Sequence, residues 1–130
     1  MARLTSEQAN DLANSFLGLA QAIGDFRYHN WNLLSRAENQ QLSNFQWSIL
    51  SYGEDILAFS TTLVLNEAEA SLIQIKNITR QIKGTIQTLT DVQKGINVAA
   101  AIVALGGSIV SRNPQSIATA IGGVTDAWNA

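Results

Sequence analysis

Apolar side chains return every three or four positions along most of this chain. The first run is Ala9, Leu12, Phe16, Leu19, Ile23 and Phe26, continued by Asn30 and Leu33. Such alternation is a heptad seam, and it predicts helix 1 over about residues 6–34. Thr5-Ser6-Glu7-Gln8 marks the start as a capping box, with Thr5 as the cap and Gln8 reaching back. Asn30 takes a seam place, where a buried asparagine lowers stability and helps fix register or oligomer state. Gly18 and Gly24 interrupt the helix and point to close helix contact.

A second box, Ser35-Arg36-Ala37-Glu38, opens helix 2, expected over about 36–65. Its seam is Leu42, Phe45, Ile49, Tyr52, Ile56, Phe59 and Leu63. Trp47, Leu50, Leu57 and Val64 widen that stripe, so the helix is expected to be buried on more than one side. Asn66-Glu67-Ala68-Glu69 resembles a third box, and a turn there begins helix 3, over about 67–94. Ala68, Leu72, Ile75, Ile82, Ile86 and Leu89 form its seam, with Ile78 and Val92 alongside and Thr79 in one seam place. Gly84 is an interior weak point, and Gly95 reads as a stop or hinge.

The pattern changes after Gly95. The last stretch has two charged residues, Arg112 and Asp126, and no aromatic before Trp128. It predicts an apolar helical hairpin over about 96–128, with Arg112 at its tip. Asn113 serves as N-cap and Pro114 as the first helical residue. Small residues on both arms (Ala100, Ala104, Gly107; Ala118, Gly122) would let the backbones approach closely. The first arm, of about 16 residues, makes roughly 24 Å of helix, short of the ~30 Å hydrocarbon core of a bilayer. A place in the protein's own core is therefore the first expectation for Ile102, Leu105, Ile109, Ile117 and Ile121. An oligomer interface or a membrane element is the alternative.

Composition sharpens this picture. A chain of 130 residues is one domain with room for a core. Charged residues make up 14%, well under the ~25% of soluble domains, which favours self-association. Eight of the nine aromatics fall between Phe16 and Phe59, so helices 1 and 2 should hold the bulky core. A net charge of -2 gives no support for nucleic-acid binding. There is no cysteine, hence no thiolate chemistry and no cysteine zinc site. The first residues, MARLTSEQAN, lack an apolar signal core; a cytoplasmic location is expected, with membrane association as the alternative.

Candidate chemistry is sparse. Asp25 and His29, four apart on one helical face, are the only His–carboxylate pair of this kind; two ligands do not make a metal site. Tyr28-His29-Asn30-Trp31-Asn32 resembles the His-Trp-Asn stretch in the first helix of the ferritin-like Dps proteins, with an Asn inserted between His and Trp. That family's second helix carries an Asp and, four residues on, a Glu; here Asp55 is followed by Phe59, and no Glu-x-x-His pair occurs. The resemblance therefore implies no metal site. Glu54 and Asp55 are adjacent and Glu67 and Glu69 two apart, spacings that do not share a helical face. No catalytic triad order or phosphate-loop motif is present. Neither enzyme activity nor a metal or cofactor is expected. The best charge pattern is Lys76, Arg80, Lys83 and Lys94, read as one face of helix 3. It suits an anionic lipid surface or an acidic partner; the plainer expectation is a solvated face pairing with acids on helix 2.

The expected fold is all-α: an up-down bundle of three long helices plus a C-terminal apolar helical hairpin. The expected role is a non-enzymatic interaction or self-association protein, either a homo-oligomer or one with a helical partner. A membrane-active, pore-forming-like protein using residues 95–130 is the alternative, and a small ligand carrier or enzyme comes third.

Overall fold

The computed structural model describes residues 2–59, 64–65, 68–111 and 114–130. Five helices carry the fold: α1 (Ser6–His29), α2 (Arg36–Ala58), α3 (Ala68–Thr85), α4 (Val92–Val110) and α5 (Pro114–Asn129). Two two-residue strands, β1 (Ala2–Arg3) and β2 (Val64–Leu65), pair antiparallel and tie the N-terminal segment to the α2–α3 connection. The class is all-α.

Both capping boxes form. Gln8 N donates to Thr5 Oγ1 at 3.1 Å and Thr5 N to Gln8 Oε1 at 3.0 Å. Glu38 N donates to Ser35 Oγ at 3.0 Å and Ser35 N to Glu38 Oε1 at 2.8 Å. Each box satisfies amide donors that a helix start leaves without partners.

The helix ends depart from the sequence pattern. Helix 1 stops at His29, not near 34, because Asn30 turns the chain. Its backbone N–H donates to Phe26 O at 3.1 Å, and its Nδ2 donates to Phe26 O at 3.0 Å and to Leu89 O at 2.8 Å. A 3-10 turn at Trp31–Leu33 follows, and Leu33 is exposed. Asn30 is thus buried at a helix end, clamping the α3–α4 connection, and is not a mid-helix seam residue. Helix 2 stops at Ala58 instead of 65, since residues 64–65 extend as β2. Of the residues that widen the α2 stripe, Trp47 and Leu57 face solvent while Leu50 packs against the core, and α2 lies against both α1 and α4. The boxlike residues Asn66 and Glu67, the seam residue Leu63, and the hairpin tip, Arg112 and Asn113, lie outside the described residues.

The largest correction concerns helix 3. It ends at Thr85, passes through a 3-10 turn at Ile86–Thr88, and breaks before Asp91. The Asp91 side chain accepts from Lys94 N at 3.0 Å and starts α4 at Val92. Gly95 is therefore neither stop nor hinge. It lies in the first turns of α4, pressed against the ring of Phe26, with which a Cβ would overlap.

One core joins all five helices. Phe16, Leu19, Ile23 and Phe26 from α1 are fully buried, as are Leu42, Ile49 and Ile56 from α2 and Ile75 and Ile82 from α3. Adjacent packing runs α3 to α1, α1 to α2, α2 to α4, α4 to α5 and α5 back to α3, so the helices close a ring around that core.

Candidate functional site

The apolar tail turns its branched residues inward. Ile102, Leu105 and Ile109 of α4 and Ile117 and Ile121 of α5 are all buried within the one chain. They form core, and none is available as an exposed interface or membrane patch in this conformation. What α4 and α5 show to solvent is mostly small or polar: Gln93, Asn97, Ala100 and Ala104 on one, Ala118, Thr119, Gly122 and Gly123 on the other, with Asp126 exposed near the end of α5. The end of α5 is held to the start of α4 by Lys94. Its Nζ lies 5.1 Å from the centre of the Trp128 ring and donates to Ala130 O at 3.2 Å.

That position removes Lys94 from the cationic face of helix 3, because the helix is interrupted between Thr85 and Val92. Lys76, Arg80 and Lys83 remain together, exposed on α3 at intervals of four and three. The acid that faces them is on α1, not α2: Lys76 Nζ lies 3.5 Å from Asp11 Oδ2, with both side chains about half exposed. Such an exposed pair contributes less than about 1 kcal/mol. Lys83 lies directly over Gly18, where a Cβ would come within 2.9 Å of Nζ. The absence of a side chain at Gly18 lets the lysine drape across α1.

Asp25 and His29 are both exposed and, with Tyr28 and Thr88, line a surface depression of about 360 Å³. Among the described residues no three His, Asp or Glu side chains gather as a metal site. Glu54 and Asp55 likewise join no such group. A second groove, of about 420 Å³, runs between α3 and α5, with Gln74, Asn77 and Gln81 facing Gly122 and Thr125.

Two features escape the hydrophobic pattern. One is the apolar edge where α1 ends: Tyr28 is 85% exposed, Trp31 57% and Leu33 62%. Leu33 falls on the predicted seam and Tyr28 and Trp31 beside it, so only the loss of the helix at Asn30 reveals them. The other is Thr79, which is 6% exposed and whose Oγ1 has no hydrogen-bond partner. A hydroxyl in an otherwise aliphatic seam was the available signal. Comparison with protein-family models, curated proteins and solved structures found no match.

Proposed function

We propose that this chain is a non-enzymatic helical module that associates with a second copy of itself. In this proposal α1, α2 and α3 make an up-down frame and α4 with α5 the hairpin that completes it. The observation that supports it best is the apolar edge at Tyr28, Trp31 and Leu33. Three large apolar side chains stand in water within six residues of chain. Aromatic groups are enriched at the centres of protein interfaces, and clustered exposure of this kind marks interaction surfaces. A chain with 14% charged residues carries little surface repulsion to oppose pairing.

Light scattering across micromolar concentrations tests this directly. The wild-type chain is expected to reach a dimer mass, and Trp31→Glu with Leu33→Glu to return it to a monomer without shifting the melt of the fold. A wild-type monomer at high micromolar concentration overturns the proposal.

A membrane-active role is also favoured by one observation. Among the described helices α4 alone is long and apolar enough to cross a bilayer, and 44% of that window is buried. Insertion would require α4 to leave Ile102, Leu105 and Ile109 uncovered by the bundle. Flotation with liposomes separates the roles: a self-association module stays with the soluble fraction.

A further inference from the structure

The groove between α1 and α3 holds an unusual combination. Lys76, Arg80 and Lys83 line a cavity of about 230 Å³ together with Thr79 of the same helix and Ser15 of α1. Asp11, paired to Lys76, is the one acid placed against these cations among the described residues. Three positive charges and one negative leave the rim strongly electropositive in a protein whose net charge is -2.

Basic side chains on a helix face are ordinarily just solvated, and they would carry nothing alone. Thr79 changes that. Hydroxyls inside helices either face water or donate to the carbonyl four residues back. In this chain Ser15 does so to Asp11 O at 3.2 Å, Thr85 to Gln81 O at 2.7 Å, Ser108 to Ala104 O at 3.0 Å and Thr125 to Ile121 O at 3.2 Å. Thr79 does not, although it is more than nine-tenths buried. A buried hydroxyl without a partner is costly, and Thr79 lines the same cavity as the three cations, where an acceptor that brings negative charge would satisfy both.

We propose that the α1–α3 groove binds a phosphate-type oxyanion, either free phosphate or a phosphate monoester. Arg80 provides the planar fork that pairs two oxygens, and Lys76 and Lys83 supply point charges on either side. Thr79 Oγ1 donates to a further oxygen once the exposed cationic side chains shift rotamer to uncover it. Lys83 lies across α1 at the edge of the groove because Gly18 leaves its path clear. Asp11 opposes the anion and competes with it for Lys76.

Calorimetric titration of the 130-residue chain with inorganic phosphate, at constant ionic strength held with chloride, tests the site. Saturable binding is expected, with a rise in melting temperature that chloride does not give. Arg80→Gln and Lys83→Gln should each weaken binding about tenfold or more, the worth of a hydrogen bond to a charged group. Thr79→Val is the decisive variant. It should raise the melting temperature of the unliganded protein, by removing an unsatisfied hydroxyl, yet weaken phosphate binding about tenfold. Asp11→Asn should tighten binding. A phosphate monoester that binds as well as or better than phosphate supports the site. A Thr79→Val protein that binds phosphate like wild type overturns it. So does equal stabilisation by chloride, or binding to phosphatidic acid vesicles without any binding of soluble phosphate.

Discussion

The first two helices and the last two solve opposite packing problems. α1 and α2 carry the large side chains: Phe16 and Phe26 fully buried, Tyr52 partly so. α4 and α5 carry aliphatic and small ones, apart from Trp128 at the end of α5. The two halves meet ring against glycine. Phe26 lies on Gly95 and Tyr52 on Gly106, each so close that a Cβ would overlap the aromatic ring, and Phe16 packs tightly beside Gly106. Gly95 and Gly106 of α4 are thus sockets for the aromatics of α1 and α2. What looks in composition like a bulky core followed by a detachable apolar tail is a single interlocked core. Gly122 and Gly123 of α5 differ, since a Cβ at either would meet nothing within 4 Å.

The largest expected effect breaks the tail's place in that core. Ile102 is fully buried in α4, while Ala104, two residues on, is exposed. Ile102→Asp puts an unpaired charge in the core and should destabilise by about 3 kcal/mol or more. Ala104→Asp should leave the melting temperature nearly unchanged. Equal effects in thermal melts would mean that α4 is not seated as described.

Next comes the socket itself. Gly106→Ala and Gly95→Ala should each cost about 1–3 kcal/mol, because an overpacked core answers with strained rotamers or a shifted helix. Helix propensity alone would give the opposite sign, a gain of up to ~1 kcal/mol. Phe26→Leu, itself destabilising, should lessen the cost of Gly95→Ala in a denaturant double-mutant cycle; additivity there would deny the contact.

Much of α1 was legible because its signals agree. The Thr5 box, the period of three and four and the burial of Leu12, Phe16, Leu19, Ile23 and Phe26 all place one helix with one inward face. The C-terminal boundary failed because apolar spacing continues past Asn30 while the hydrogen bonds do not. The same happened at Leu89 and Val92, which keep helical spacing across a real break. Asp91 caps α4 without a Glu or Gln three residues on, so no box announces it. Gly95 departs from its sequence pattern for a different reason: whether a glycine ends a helix or accepts a ring depends on what crosses it, and Phe26 lies sixty-nine positions away in the chain. The cationic trio on α3 was readable by spacing. Its acid on α1 and the orphaned Thr79 hydroxyl were not, since both depend on how α1 and α3 meet.

Asn30 sharpens the comparison at the junction of the two halves. Placed on a seam, it would be an asparagine whose replacement by leucine gains stability. In the structure its Nδ2 serves Phe26 O and Leu89 O, joining the end of α1 to the link that leads into α4. Asn30→Leu strips the side-chain donor from Leu89 O and should cost about 1–2 kcal/mol in chemical denaturation. Its Oδ1 has no partner, and that partly offsets the loss. A more stable variant would return Asn30 to the seam role.

The smallest effect lies in α5, where glycine serves no socket. Gly122 is exposed in the middle of the helix and borders the groove between α3 and α5. Glycine at such a position costs backbone entropy without providing an approach that needs it. Gly122→Ala adds a methyl into open space and stiffens the unfolded chain, so it should stabilise by up to ~1 kcal/mol. Set beside Gly106→Ala, the same chemical change then has opposite signs in neighbouring helices, and a thermal melt reads both. Should Gly122→Ala instead destabilise the isolated chain, a contact across the α3–α5 groove must be closer than the one described. Should it leave the melt improved but weaken self-association, the small face of α5 is where the second copy packs, and the apolar edge at Trp31 is not the main contact.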